Sequence, residues 1–319
     1  MADNIPRGPA AFDPAALDKL GKLALVARTV VDGFMAGQQV SPHRGSSIEF
    51  AQHREYVAGD DPRFVDEKIY ARTNRLVVKE FVEETNLACH LMVDGSASMG
   101  FASTALPGSA PRTKLLYASW CAAALAHLVL RRRDVAGLVL FDQRERTKVP
   151  PKNGAEQAAA ILRVLEAAQP SGPTAVGASL DWLVTRLRRR GIVCVFSDFF
   201  EDPDLILAGV ERLRLAGHEP ILFEVLDPAE LRFDYRGHLR LDDLEGGPSL
   251  KIDAQSVREA YLEELDRHRS GLRRRAAALG VDWVELSTDT PLDVALSAYL
   301  NRRLAIRRSG RLRTPGGRG

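Results

Sequence analysis

The chain has 319 residues, enough for one large domain or two ordinary ones, with 45% hydrophobic and 27% charged residues, the balance of a soluble globular protein. Its formal net charge of +2 excludes strong polyanion binding by overall charge, and no run approaches the ~20 apolar residues of a membrane span. Cys89, Cys121 and Cys194 each lie in an apolar run and read as buried reduced thiols. With no signal peptide in evidence at the N-terminus, the expected location is the cytoplasm.

Residues 1–12 are rich in Pro, Ala and Gly and read as loose chain. Asp13 to Met35 carries Leu17, Leu20, Leu23, Val26 and Val30 at helical spacing, which predicts a helix or helix pair. Gly37 to Asn86 is dense in Gly, charge and aromatics, with weak periodicity. Its one clear strand is Leu76 to Val82, and Gly59-Asp60-Asp61-Pro62 reads as a turn. Arg54, Arg63 and Arg72 are expected to pair with Glu49, Asp60, Asp61 and Asp66, because bidentate Arg–carboxylate pairs suit an irregular segment.

From Leu87 the pattern becomes regular. Strands are expected at Leu87–Asp94, Val135–Phe141, Thr147–Pro150, Ile192–Ser197, Pro220–Leu226 and Val281–Leu286. Helices are expected at Arg112–Leu130, Ala155–Ala168, Ala175–Arg190, Asp204–Ala216, Ala254–Leu279 and Leu292–Ile306. Leu231 to Ile252, with turn signals at Arg236-Gly237 and Glu245-Gly246-Gly247, suggests a small β excursion. Strands alternating with helices predict a mostly parallel, doubly wound α/β sheet covered on both faces. Ligands bind such sheets beyond the carboxyl ends of the strands.

The residues that carry chemistry lie at those ends. Leu91 to Gly100 reads Leu-Met-Val-Asp-Gly-Ser-Ala-Ser-Met-Gly, so Asp94, Ser96 and Ser98 leave one strand tip together and can turn toward one hard cation. A second strand ends in Ser197-Asp198. If it lies beside the first, Asp198 approaches the same crevice. Ser171-Gly-Pro-Thr174, just before a helix, can present a further hydroxyl there. The order of these five oxygen groups resembles the metal-ion-dependent adhesion site of a von Willebrand factor A domain. The resemblance implies a von Willebrand factor A-like fold with Mg²⁺ or Mn²⁺ bound directly by Ser96, Ser98 and Thr174, and through water by Asp94 and Asp198. Neutral hydroxyls leave such a cation poorly neutralised, with one position open to an acidic side chain of a partner.

A second resemblance covers residues 37–86 and extends from about Leu17 to Leu304. Gly37, Ser41, Gly45, Ser47, Glu49-Phe50, Arg54-x-Tyr56, Gly59-Asp60-Asp61-x-Arg63, Asp66, Ala71-Arg72, Leu76-x-Val78-Lys79 and Glu83-Glu84-Thr85-Asn86 closely resemble the bacterial family catalogued as domain of unknown function 58. The family usually has Trp where this chain has Glu67, and often His in place of Gln39. Its members are commonly encoded beside MoxR-type AAA+ ATPases. The resemblance therefore implies such an ATPase, or its client, as partner in assembly or chaperone-like work.

Other chemistries fit less well. Ser98-Met-Gly100 invites comparison with the hydrolase elbow Gly-x-Ser-x-Gly, which makes a metal-dependent hydrolase using the Asp94/Ser98 crevice the alternative. However, Ser96 replaces the first glycine, and neither His218 nor His268 has a motif around it. No P-loop occurs, and the histidines and cysteines lack zinc spacing. The runs Arg131–Arg133, Arg188–Arg190 and Arg273–Arg275 read as solvated helix ends. The segment 302–319 holds seven arginines and no acid, but it lacks the interleaved aromatics of a nucleic-acid binder. The expected organisation is an N-terminal extension over 1–86, a von Willebrand A-like domain over 87–306 and a disordered basic tail over 307–319.

Overall fold

The computed structural model describes residues 49–57, 65–82, 88–103, 112–187 and 189–296. The expected helix over 13–35, the turn at 59–62 and the tail lie outside these residues. The chain divides into two compact units, one formed by Gln39–Leu87 and the other by the remainder.

In the smaller unit, β1 (Glu49–Glu55) pairs antiparallel with β2 (Val77–Val82), with an irregularity between Phe50 and Gln52. Between them lies α1 (Glu67–Thr73). Asp66, expected in an arginine network, caps this helix, accepting the Ile69 N–H at 3.2 Å. Asp60, Asp61 and Arg63 fall outside the described residues. The sequence pattern missed β1 and α1, because charged residues interrupt the periodicity of both.

The larger unit is a six-stranded sheet in the order β10-β7-β6-β3-β4-β5. Its strands are β3 (Ala88–Asp94), β4 (Val135–Phe141), β5 (Glu145–Lys152), β6 (Gly191–Ser197), β7 (Glu219–Leu226) and β10 (Asp282–Ser287). All neighbours are parallel except β4 and β5. β5 closes an edge, and its Pro150, Pro151 and lysines discourage further pairing. It is longer than the Thr147–Pro150 strand expected.

Two apolar layers hold the sheet. On one face, Cys89, Leu91 and Val93 of β3 join Leu138, Phe196 and Phe223 under α2 (Lys114–Arg131) and α3 (Ala155–Ala167). On the other, Met92, Val139, Val193, Val195 and Leu222 pack against α4 (Val176–Val184), α5 (Pro203–Leu215) and α7 (Ala254–Ala278). Residues alternate between the layers along each strand, so burial on both sides explains the unbroken apolar runs. This is the doubly wound, mostly parallel arrangement expected. Cys89, Cys121 and Cys194 are buried and unpaired with one another, and burial pushes the Cys121 thiol up. No described helix is long and apolar enough to cross a membrane.

Local chemistry sets the helix starts. The Thr113 hydroxyl accepts the Leu116 N–H at 3.1 Å to open α2. Asp202 and Pro203 open α5. The expected β excursion resolves into α6 (Pro228–Arg232), with a capping box between Asp227 and Glu230, followed by a hairpin of β8 (His238–Leu241) and β9 (Leu250–Asp253). The helix expected over Ala175–Arg190 stops at Val184, where the Thr185 hydroxyl turns back to the Trp182 carbonyl at 2.8 Å. The final helix is seen over 292–296, and the rest of it lies outside the described residues.

α4 and α5 approach closely because Gly177 and Gly209 face each other's backbones. A Cβ on Gly177 would stand 2.6 Å from the Leu205 carbonyl oxygen. Gly177→Ala is therefore expected to lose about 1–3 kcal/mol despite alanine's better helix propensity, measured as a lower urea midpoint at unchanged slope. A second prediction concerns His90, only 8% exposed on β3. Burial, with the charges of His218 and Lys148, lowers its pKa from 6.5 to about 4. The unfolded chain takes up this proton near pH 6.5, whereas the folded chain does so only near 4. The stabilising contribution is full above 6.5 and is lost as pH falls toward 4, by up to about 3 kcal/mol. Denaturant titrations across that window should show a shallower acid slope for His90→Asn than for wild type.

Candidate functional site: a carboxylate and hydroxyl crevice at the strand ends

β3 and β6 are neighbours in parallel register, Val93 opposite Phe196, so Asp94 and Asp198 leave the sheet side by side. From β3 the chain winds to β4 on one side, and from β6 to β7 on the other. The crevice between them is a topological switch point, the place where such sheets bind ligands.

Asp94 organises the crevice. Its Oδ1 accepts the Ser96 N–H at 2.9 Å. Its Oδ2 accepts the Thr174 hydroxyl at 2.8 Å and the Ser197 hydroxyl at 2.7 Å. The loop carrying Thr174 is zipped to the strand tip by main-chain bonds: Ser171 N–H to the Gly95 carbonyl at 2.9 Å, and Ala97 N–H to the Gly172 carbonyl at 2.7 Å. Arg146 clamps the same turn, donating to the carbonyls of Gly95 and Gln169, each at 2.9 Å. Ser96 opens a 3₁₀ turn, Ala97–Gly100, but makes no capping bond. Its hydroxyl lies 3.1 Å from that of Ser98.

Asp94 is fully buried. Burial first, and then the neighbouring charge of Asp198, push its pKa up to about 6, while hydrogen bonds from Ser197 and Ser96 work against the rise. In its ionised form the carboxylate has no Lys or Arg among the described residues to pair with. A buried charge of this kind favours a cation.

The structure brings all five expected groups to this place, but Asp198 is engaged differently from expectation. Its Oδ2 accepts Lys114 Nζ at 2.8 Å, and its Oδ1 accepts the Phe200 N–H at 3.3 Å. The Lys114 ammonium also donates to Glu230 Oε1 at 2.6 Å and lies 5.3 Å from the centre of the Phe200 ring. Lys114 and Asp198 are almost wholly buried, with side chains 1% and 0% exposed. Burial pulls the ammonium pKa down, but Asp198 and Glu230 more than reverse this and hold it charged. Lys114, Ser197 and Glu230 were missed in the sequence. One signal was present: a lysine at the first position of an apolar helix opposes the helix dipole and calls for an acid beside it.

The donor set suits a small hard cation. Oxygens 2.0–2.1 Å from an octahedral Mg²⁺ sit about 3.0 Å apart along an edge. The Ser96 and Ser98 hydroxyl oxygens, 3.1 Å apart, can occupy two such adjacent positions. No group of three His, Cys, Asp or Glu among the described residues could hold a metal, so hydroxyls would have to supply most of the donors, which disfavours zinc. Neither histidine weighed as a hydrolase base bonds a crevice hydroxyl among the described residues. His268 Nε2 bonds the Phe199 carbonyl at 2.9 Å, and His218 lies just before β7, at the opposite end of the strands.

Lys114→Met would leave two buried carboxylates without their counter-charge. It is expected to lower stability by about 3–5 kcal/mol in urea denaturation, with partial recovery on adding Asp198→Asn and Glu230→Gln. A loss below about 1 kcal/mol would count against a structural ion-pair centre.

An uncharacterized protein of Mycobacterium tuberculosis is 29% identical over 306 residues, covering 94% of this chain and 92% of its own length. One of Mycobacterium avium is 30% identical over 154 residues, 45% of this chain and 86% of its own. Among solved structures, the conserved hypothetical protein BatB of Bacteroides thetaiotaomicron aligns over 68% of this chain and 98% of its own, at 16% identity and a TM-score of 0.42. The SpRpn10 VWA domain aligns over 66% of this chain and 93% of its own, at 9% identity and a TM-score of 0.36. The family model described as protein of unknown function DUF58 matches residues 52–271, more than half of the sequence, and the chain belongs to that family.

Proposed function

We propose that this protein is a metal-dependent protein-binding module, taking Mg²⁺ or Mn²⁺ at the crevice of Asp94, Ser96, Ser98, Thr174 and Asp198. The observation that carries the reading is the Asp94 carboxylate, buried and without a Lys or Arg partner among the described residues, with the Thr174 and Ser197 hydroxyls bonded to it and the Ser96–Ser98 hydroxyl pair beside it. When bound, the cation supplies a hard positive charge for an oxygen ligand from outside. The chain's own residues prepare the place. Asp94 aims the Thr174 and Ser197 hydroxyls, the Ser96–Ser98 pair presents two adjacent oxygens, and Lys114 fixes Asp198 on the far side.

The ligand from outside is an acidic side chain of another protein. It gains a strong, directional contact in a partly desolvated crevice. The family resemblance makes a MoxR-type AAA+ ATPase, or its client, the first candidate, with assembly or chaperone-like work in the cytoplasm.

Titration calorimetry should detect one Mn²⁺ or Mg²⁺ site in wild type, lost in Asp94→Ala and weakened in Thr174→Ala without a change of fold. Retention on an immobilised MoxR-type ATPase should need the cation and disappear in chelator. Unchanged cation binding by Asp94→Ala would sink the site. Equal recovery with and without chelator would rule out a metal-bridged contact, since a purely electrostatic complex tracks ionic strength instead.

A further inference from the structure

The β8–β9 hairpin brings one more carboxylate to the crevice. Of its turn, residues 242–249, only Glu245 is not exposed. Glu245 Oε2 accepts the N–H of Thr174 at 3.1 Å, and Thr174 is the residue whose hydroxyl holds Asp94. The reach is directed. The Glu245 N–H bonds Asp243 Oδ1 at 2.7 Å, and Gly246, at φ +96°, reverses the chain immediately afterwards. Among the described residues no Lys or Arg forms an ion pair with Glu245.

A simpler role would be to neutralise the start of α4. That role is already filled, because Glu201 Oε2 accepts the Gly177 N–H inside the first turn at 3.0 Å. Glu245 binds instead before the helix, on the loop that forms the crevice wall.

We propose that Glu245 is a ligand this chain supplies to its own cation, holding the position that a partner's acidic residue must take. The inference rests on the cation reading above. A set of neutral hydroxyls leaves a divalent charge under-compensated, and the Glu245 carboxylate sits on the amide of the residue whose hydroxyl faces Asp94. Glu245 stands on an exposed turn followed by two glycines, so it can leave without disturbing the sheet. The partner's Asp or Glu then competes with an internal carboxylate rather than with water. The crevice stays closed to weak acids and opens to a partner that adds contacts of its own.

The test uses the full chain with Mn²⁺ alone, read by titration calorimetry and by water-proton relaxation, which reports the water bound to the ion. Glu245→Gln keeps an oxygen that can accept the Thr174 amide but removes the charge. It should weaken Mn²⁺ binding roughly tenfold and raise the relaxivity of the bound ion, because water replaces the carboxylate, with the melting temperature unchanged. Glu245→Asp, charged but shorter, should fall between and serves if the glutamine variant folds poorly. If both variants match wild type while Asp94→Ala abolishes binding, Glu245 is no ligand and the cation site stands. Weaker affinity at unchanged relaxivity would show that Glu245 acts only through its charge and would overturn ligation. Absence of Asp94-dependent Mn²⁺ binding in wild type would overturn both readings.

Discussion

Burial of the Asp94 carboxylate at the end of β3 sets the demands that the surrounding loops meet. Sheet register fixes its position: β3 is central, paired on both sides in parallel, and its last residue is fully buried. A carboxylate in such a place is stable only if its oxygens are satisfied. Three donors reach them from three separate segments: the Ser96 amide, the Thr174 hydroxyl and the Ser197 hydroxyl. These bonds align the strand tips of β3 and β6 with the loop before α4. The crevice is a by-product of satisfying one buried charge.

The two aspartates are treated unequally. Asp198 has a lysine, and Asp94 has none among the described residues. Lys114 can serve Asp198 because α2 begins directly above the sheet end, where Thr113 caps it and the apolar layer holds its first turn down. Glu230, from the capping box of α6, takes the second proton of the same ammonium. One acid is therefore neutralised from within while its neighbour keeps an uncompensated charge. Had both been paired with lysines, the crevice would have no electrostatic reason to bind a cation. Had neither been paired, two like charges at close range would force one of them to protonate.

The sequence made the doubly wound sheet legible because strands buried on both faces must be apolar throughout, and helices such as α2 and α5 start at capping residues, Thr113 and Asp202. Val135–Phe141 falls at the same residues in pattern and structure. The crevice groups were legible too, since strand ends are where such sheets carry ligands. What the pattern could not give were partners contributed from far along the chain. Lys114 meets Asp198 and Glu230 across separations of 84 and 116 residues, and Glu245 meets Thr174 across 71. No local periodicity encodes such encounters. Short elements failed for a different reason. α4 was drawn too long because the apolar spacing persists beyond the point where Thr185 diverts the backbone. β1 and α1 were missed because Glu49–Glu55 and Glu67–Thr73 mix charge and apolar residues without a period.

The same arrangement ties recognition to folding. Each group of the crevice is held by a segment whose position depends on the sheet being complete, so the constellation cannot exist in the unfolded chain. A cation bound there stabilises only the folded state, by an amount that grows with the logarithm of its concentration over Kd. The stabilisation falls on the element that is electrostatically least content, the Asp94 end of β3. Whatever occupies the cation's outer position shares in that linkage. If Glu245 and a partner's acidic side chain both ligate that cation, as proposed, they compete for the same free energy, and the contacts the partner makes beyond the crevice decide the outcome.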